Sequence, residues 1–592
     1  MSVRTEITRA IADARDRAAA SGALTIGDDG SVPAVGLERP ANPDHGDWAS
    51  NAAMQLAPVA RAAPLRIAEA LLEHFEPPPS VAEVSVAPPG FLNFRLDPAW
   101  IAAQVGPILD AGESYGHGTA SEPKRINVEF VSANPTGPLT VGNARGAFVG
   151  DVLSRVLDAV GHDVTREYYF NDYNEQIRNL GLTVKAVKRG EPIPEDGYHG
   201  GYVNDLAAAV PDALWKQADE PGADAAELLG RWAAERVRAG IEASLARLGV
   251  RFDVWTSEGA IHDAGWVERG IDRLREAGYI YTDDGALWFR STAFGDDKDR
   301  VVIRSNGEPT YFAADIGYLT EKFSRGFDHL IYIWGVDHHG TVARNRNAAE
   351  AMGYDREAVQ MLLYAWVHFI RPWTADDGEL PATEEQPLRT RADEEIRVVD
   401  GRRMVVVSNS KRTGKFVTLD ELLEEVGVDA TRWYFASRGA TTQIDFDIER
   451  MRGLLAALRR GDYDEARQFP VYYVQYAHAR AASIERNAAD AGISPAASVA
   501  SGLSGGPEAA LARAIVRFPE IVEDAIWEEE TLGVTTYAYD LASQFSAFYR
   551  DAKVIDPDEP ERSALRLALV SATRTTLANA LGLLGISAPG QM

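Results

Sequence analysis

The chain has no cysteine, and only nine lysines stand beside 88 acidic side chains. The first absence excludes disulfides and thiolate metal sites. No apolar run reaches transmembrane length, and residues 1–20 (MSVRTEITRAIADARDRAAA) lack the apolar stretch of a signal peptide. A cytoplasmic setting is therefore expected. The scarcity of lysine leaves a formal net charge of −28 and a pI near 4.9. Polyanions bind through neutralised phosphates, so a diffuse acidic surface repels them. Any RNA site must then be a local basic or helix-N-terminal patch on an acidic body. An acid-rich, lysine-poor surface also suits solubility at high salt, where screening shortens to a few ångströms, and a salt-adapted source is one expectation.

What is present is ordinary in bulk: 45% hydrophobic and 25% charged residues, enough for large cores. A length of 592 residues predicts three or four domains.

The most informative stretch is 128–151, VEFVSANPTGPLTVGNARGAFVGD. An apolar β-type run (126–131) enters a loop holding Asn134, Pro135, Gly137, Pro138 and Gly142. Phe148, Val152, Leu153, Val156, Leu157 and Val160 then recur on one helical face. Strand, Gly/Pro-rich turn and helix is how a doubly wound sheet offers backbone N–H groups to a phosphate, and Gly142 lets that backbone come close. An ordinary strand–helix connection has the same outline. The wording A-N-P-T-G-P-L-x-V-G-N is more particular. It resembles the nucleotide-binding signature of class I aminoacyl-tRNA synthetases, and in detail that of the arginyl-tRNA synthetases. The resemblance implies ATP contacts along Ala133, Asn134, Pro135, Thr136, Gly137, Pro138, Leu139, Thr140, Val141, Gly142 and Asn143. Thr140, Gly142 and Asn143 would be catalytic. The family usually carries histidine where Thr140 and Asn143 stand. Asn143 can still donate a hydrogen bond, whereas Thr140 keeps a hydroxyl but cannot carry positive charge.

Gly335-Val336-Asp337-His338-His339 follows the strand-like LIYIWG. A His pair beside Asp could be a metal site or a buried polar cluster, yet no further ligands stand at suitable spacing. The stretch matches the class I pattern G-x-D-H, which implies that Gly335, Asp337 and His338 serve the nucleotide; His338 would also reach arginine. No protein-bound metal is expected beyond the Mg2+ of Mg-ATP. Residues 407–415, VSNSKRTGK, precede a helix capped by Thr418 with Asp420 and Glu421 following. They resemble the K-M-S-K-S loop, with Ser408 and Asn409 in place of Lys and Met. Ser410 and Lys411 would be catalytic, the Lys411 ammonium stabilising the departing pyrophosphate. Two lysines within five residues in a lysine-poor chain favour anion binding.

Tyr311 and Asp315 stand four apart, on one face if helical, and Glu258 lies well upstream. Carboxylates converging with a phenol would suit a guanidinium. All three match arginine-side-chain contacts of the family, and Glu129, Ser132 and Asn134 match those around the substrate backbone.

The expected fold is α/β: a doubly wound parallel (Rossmann-like) catalytic sheet, an N-terminal α+β appended domain and a C-terminal all-α bundle. Residues 1–115 form the first unit, whose GLERPANPDHGDWASNAAMQLA and closing strand-like 85–97 resemble the family's tRNA-elbow domain. Residues 116–400 alternate strands and helices, with a charged helical insertion at 178–235 and a solvated acidic loop at 371–401. A mobile-loop and connecting region spans 401–460. From 461 to 592 strand signals stop, and Leu565, Leu569, Leu577, Leu581 and Leu584 form a buried helical stripe. This unit resembles the anticodon-binding bundle, implying tRNA contacts at Tyr473, Tyr476, His478, Arg480 and Met592.

The resemblance implies ATP-dependent activation of L-arginine and its transfer to the 3′ end of tRNA(Arg) by a monomer. A tRNA-binding paralogue with impaired activation is the alternative, suggested by Thr140 and Ser408–Asn409. A synthetase for another amino acid is disfavoured by Glu258 with Asp315, which do not suit apolar or acidic substrates.

Overall fold

The computed structural model describes residues 2–592 except 27–32, 41, 119, 121, 173, 379–387, 391–393, 400, 408–416, 461–468, 498, 500–504 and 528–530. At its centre is a five-stranded sheet. Arg125–Phe130 pairs on one side with Asp163–Phe170, which pairs with Val254–Ser257; on the other side it pairs with His329–Gly335, which pairs with Val359–Tyr364. Every pairing is parallel. The first and fourth strands of this sheet in chain order are therefore neighbours, and the chain winds away from them in both directions. Ligands of such sheets sit outside the carboxyl ends of the strands at this switch point.

The helix Val141–Ala159 connects the first two strands of the sheet, and the expected apolar face (Phe148, Val152, Leu153, Val156, Leu157, Val160) is buried. Its close approach to the sheet depends on Gly150, where an added Cβ would lie 2.2 Å from Phe130 Cγ. The charged segment expected as an insertion forms four helices, Glu175–Arg189, Gly201–Ala209, Asp212–Asp219 and Ala225–Arg247. The first and last of these touch backbone to backbone at Gly181 and Gly230: a Cβ on Gly181 would meet Ala226 O at 2.2 Å.

One expectation is corrected. The acidic stretch 371–401 is not simply a solvated loop. Val367–Pro372, Leu388–Arg389, Glu395–Val399 and Arg402–Val407 are strands of a second five-stranded sheet completed by Ile444–Asp447. The alternation in EEIRVVDGRRMVVV carries the signal. Ile396 and Val405 are buried partners across the ladder while the charged neighbours point outward. The acidic composition of the stretch hides that alternation.

Residues Val3–Ala20, Ala52–Ala60 and Pro64–Glu73 are helices packed with a three-stranded antiparallel sheet of Trp48–Ser50, Phe91–Leu96 and Val81–Ala87. The C-terminal part contains the helices Pro470–Asp490, Gly506–Val516, Phe518–Trp527, Leu532–Asp551 and Pro560–Leu583. The two ends of the chain meet: Arg513 Nη1 donates to Asp47 Oδ1 at 2.6 Å, and Arg39 pairs with the buried Glu520. Among the described residues no helix is long and apolar enough to cross a membrane.

Candidate active site

At the switch point, the strand Arg125–Phe130 ends in two residues of positive φ, Val131 (68°) and Ser132 (40°). A β-branched residue rarely adopts this conformation, so the turn must be held from outside. Tyr168 holds it: the phenol accepts from Ala133 N at 3.1 Å and donates to Ala133 O at 2.9 Å. Ser132 Oγ donates to Glu129 Oε1 at 3.0 Å and accepts from Tyr169 N at 3.2 Å. The turn throws residues 132–134 over the strand ends, where they line a cavity of about 790 Å3.

One half of this cavity is acidic. Glu129 is buried and paired with the equally buried Lys322, at 2.7 Å. Glu258 is 7% exposed and opens the helix Glu258–Asp263, whose N-cap is Ser257. Burial pushes its carboxyl up, the Tyr169 hydroxyl donating to Oε2 at 2.8 Å offsets part of that, and Asp172 adds to it. Asp315 lies on the helix Tyr311–Ser324, capped by Thr310, so Tyr311 and Asp315 do share a face toward the cavity. Burial above all, then Glu129 and Glu258, push Asp315 up to about 7, with Arg344 working the other way. Its carboxylate has no hydrogen-bond partner among the described residues. Carboxylates crowded into a dry wall favour a cation that brings its own donors. Tyr311, 70% exposed, stands at the mouth.

A second layer holds the acidic half in place. Glu167 is fully buried and accepts from Asn127, Thr256, Tyr318 and Arg325. Burial pushes Glu167 up, but Lys322, Arg325 and the two hydroxyl donors together outweigh it and hold the carboxyl below its ordinary range.

The other half is built from the loop and the ends of the fourth and fifth strands of the sheet. Thr140 is the extended N-cap of Val141–Ala159, its N and Oγ1 both donating to Asn143 Oδ1 (3.2 and 2.9 Å). With that oxygen taken, the amide NH2 of Asn143 is what the side chain has left to donate. Thr140, Gly142 and Asn143 line the cavity with Gly335, Asp337 and His338; Asp337 and His338 are exposed and 3.6 Å apart. Ala133 and Asn134 also line it, whereas Pro135, Thr136, Gly137, Pro138, Leu139 and Val141 do not. Of these, all but Pro138 are buried, so their contribution is to the shape of the loop.

The stretch 408–416, with Ser408, Asn409, Ser410 and Lys411, lies outside the described residues. Its flanks are at the cavity. Val407 lines it, and Thr418 bridges Thr140 while Leu419 N donates to Leu139 O at 2.8 Å. Thr418 caps Leu419–Val426 with Glu421 reciprocating, as the sequence suggests. Arg145, fully buried, ties the helix Val141–Ala159 to the segments that lead into two strands of the second sheet through Ala365 O (2.8 Å), Gly439 O (2.7 Å) and Thr442 O (2.6 Å). Burial lowers it to about 10.

Sequence reasoning missed several cavity residues: Tyr169, Asn171, Asn345 and Trp366. Tyr169 lies at the carboxyl end of the second strand of the sheet and Asn171 just after it, and the switch-point rule applied to that strand would have found them. Trp366 is 56% exposed, an unusual state for an indole.

Far from the cavity, Tyr473 and Tyr476 lie on the helix Pro470–Asp490. The Tyr473 ring sits 5.1 Å from Tyr539. Arg480 donates to the Tyr476 hydroxyl at 2.5 Å and stacks over both Tyr476 and Tyr549. Tyr539 and Tyr549, which the sequence reading did not name, are exposed. His478 is corrected: it is 4% exposed, its Nδ1 is 2.9 Å from Pro589 O, and burial lowers its pKa. It fastens the C-terminal tail and does not face solvent. Met592, beyond that anchor, is exposed.

Comparison with known proteins agrees with this arrangement. Residues 1–96 match the arginyl tRNA synthetase N terminal domain, 104–194 the class I (R) tRNA synthetase catalytic domain, and 474–592 the DALR anticodon binding domain. The chain is 42% identical to an arginine–tRNA ligase of Moorella thermoacetica over 99% of its own length and 98% of that protein's. To the arginine–tRNA ligase of Bacillus subtilis it is 40% identical over 96% of each. Its fold superposes on Thermus thermophilus arginyl-tRNA synthetase with a TM-score of 0.73, at 22% identity over the whole of both chains. Relatedness of this extent, on a switch-point cavity with one acidic half, means that the chain belongs to the arginine–tRNA ligases, the arginyl branch of the class I aminoacyl-tRNA synthetases.

Proposed function

We propose that the chain activates L-arginine with Mg-ATP to arginyl-adenylate and pyrophosphate, then transfers arginyl to the 3′ end of tRNA(Arg), releasing AMP. The observation that carries this reading is one cavity with two unlike halves. Asp315, Glu258 and Tyr311 offer acceptors to a planar cation, and the N-terminus of Val141–Ala159 with Asn143 offers donors to phosphate.

In the first step the arginine α-carboxylate attacks the α-phosphorus in line, and no side-chain nucleophile is needed. Catalysis is then positioning plus charge stabilisation. Asp315 and Glu258 hold the guanidinium; Glu129, Ser132 and Asn134 serve the α-amino and carboxylate end. Gly335, Asp337 and His338 serve the adenosine, and Thr140, Gly142 and Asn143 the phosphates. The resemblance of 407–415 to the K-M-S-K-S loop gives Lys411 the departing pyrophosphate as its partner. Lys411→Ala should slow activation by about 2–4 kcal/mol in transition-state energy, the scale of a lost oxyanion donor, with little change in arginine binding. A mutant that keeps its turnover and only raises the Michaelis constant for ATP contradicts this role.

For tRNA, the aromatic–arginine cluster of Tyr473, Tyr476 and Arg480 is the surface proposed to stack anticodon bases, and the N-terminal sheet domain the one that meets the elbow. A monomer in the cytoplasm, with Mg2+ arriving as part of the nucleotide substrate and an acidic surface adapted to salt, completes the reading. Aminoacylation of unfractionated tRNA, run separately with each standard amino acid, tests it. Charging with arginine alone is the expected result. Charging with another amino acid, or tRNA binding without ATP–pyrophosphate exchange when arginine and tRNA are both present, overturns it.

A further inference from the structure

The helix His339–Ala351 carries two buried asparagines, and they are treated differently. Asn347 is satisfied at both ends: its Nδ2 donates to Ser291 Oγ at 3.3 Å and its Oδ1 accepts from Arg356 at 2.8 Å. Asn345 is 2% exposed, lines the cavity with Thr341 one turn earlier, and among the described residues has no hydrogen-bond partner for its Oδ1. Buried amide oxygens are almost always paired, so a lone one at a cavity wall marks a place where a donor is to come.

The position selects the kind of donor. The preceding residue, Arg344, is close enough to Asp315 to act on its charge, so this turn of the helix faces the acidic half. The acceptors there are largely committed. Both oxygens of Glu129 are taken, by Ser132 and Lys322, and Glu258 Oε2 accepts from Tyr169. A guanidinium has five N–H donors and no acceptor. It would still find Asp315, the remaining oxygen of Glu258 and, in the same wall, a neutral carbonyl.

We infer that Asn345 is a specificity-determining residue of the amino-acid pocket, its Oδ1 accepting one guanidinium N–H of the substrate arginine; the inference rests on the arginine-activating function proposed above. A third ionised carboxylate here would leave excess negative charge after one monocation had bound. An amide supplies direction without that repulsion, and a compact ammonium could not reach Asp315, Glu258 and Asn345 together as a planar fork does.

The test uses the full-length enzyme with tRNA present, the near-isosteric variant Asn345→Leu, and arginine and ATP as the varied substrates. Asn345→Leu should raise the Michaelis constant for arginine about tenfold or more and leave that for ATP within about twofold. Melting of the ligand-free variant should occur at the same or a higher temperature, because a buried orphan acceptor has been removed, while the upward shift given by saturating arginine shrinks. A second variant, Asn345→Asp, should move the pH dependence of arginine use to higher pH, since a new carboxylate near Asp315 raises it further. An unchanged arginine constant, equal losses for arginine and ATP, or a ligand-free protein that melts lower with its arginine shift intact each overturns the proposal. Wild-type enzyme that does not charge arginine would instead defeat the function on which it rests.

Discussion

Asp315 shows how a single residue can set a pH dependence. Its carboxyl stands at about 7 in the ligand-free pocket, first because it is buried and then because Glu129 and Glu258 face it. The sign follows from comparing folded and unfolded chains. Between the ordinary value of 3.8 and about 7 the folded protein holds a proton that the unfolded chain has released. Stability from this group is therefore full below 3.8 and is lost as pH climbs toward 7. On the role proposed for Asp315, an arriving guanidinium would reverse the preference, because it pairs only with the ionised form. Arginine binding should thus expel a proton near neutrality and weaken at lower pH. The Michaelis constant for arginine is expected to rise about tenfold from pH 8 to pH 6, with that for ATP nearly flat. Calorimetric titration of arginine in buffers of different ionisation enthalpy would show the released proton, and no dependence on buffer would count against the mechanism. Asp315→Asn should abolish the pH effect and weaken arginine by about 3–5 kcal/mol, the scale for unpairing a buried charge, while ATP titration stays close to wild type.

At the scale of elements, what was readable in the sequence was periodic or chemically particular. The strand–loop–helix at 125–159 was legible because an apolar β run, a Gly/Pro loop and a helical apolar face follow one another without ambiguity. The helix Tyr311–Ser324 was legible in its spacing alone, which placed Tyr311 and Asp315 together. Four kinds of information stayed hidden. Composition masked the strands within 371–401. Burial decided His478, whose partner Pro589 lies 111 residues away. Convergence decided Asn345, on the helix His339–Ala351, and Trp366, just beyond a strand end, which carry no local motif and reach the cavity only through the fold. Close packing was hidden as well. Gly150 reads as an ordinary helical glycine, yet a Cβ there would stand 2.2 Å from the Phe130 ring. Gly150→Ala should therefore cost about 1–3 kcal/mol by overpacking, against the small gain that removing a mid-helix glycine normally brings. Urea denaturation of the full chain would decide between them, and a more stable variant would mean that the helix can shift away without loss.

On the scale of the whole molecule, the helix Val141–Ala159 is fastened to distant parts of the chain by one buried cation. Arg432 pairs with Asp151 of that helix, and donates to Leu248 O after the long insertion helix (3.0 Å) and to Leu584 O after the last helix (2.7 Å). Burial lowers Arg432, with Asp151 opposing that fall. Arg432→Met should destabilise the protein by about 3 kcal/mol, the low end for a broken buried pair, because Asp151 keeps Arg155 at 2.8 Å. Thermal melting of the variant gives the answer, and an unchanged melting temperature would show that the backbone acceptors find water instead.

The surface around these joints carries the net charge of −28, and its consequence for RNA runs against the usual rule. Protein–RNA contacts ordinarily weaken as salt rises, because releasing counterions gains less free energy. Here long-range repulsion between an acidic body and a polyanion is also present, and at about 1 M salt the screening length is only ~3 Å. Loss of that repulsion offsets loss of attraction. Stacking of bases on the proposed anticodon surface at Tyr473, Tyr476 and Tyr549 would depend little on salt. If the charge is an adaptation to salt, arginylation should persist or rise into molar KCl while circular dichroism reports an unchanged fold. Charging that peaks in dilute buffer and collapses above a few tenths molar KCl, with the protein still folded, would show that the acidic surface serves solubility alone. In that case tRNA affinity must rest on local basic patches whose attraction is screened before the general repulsion is.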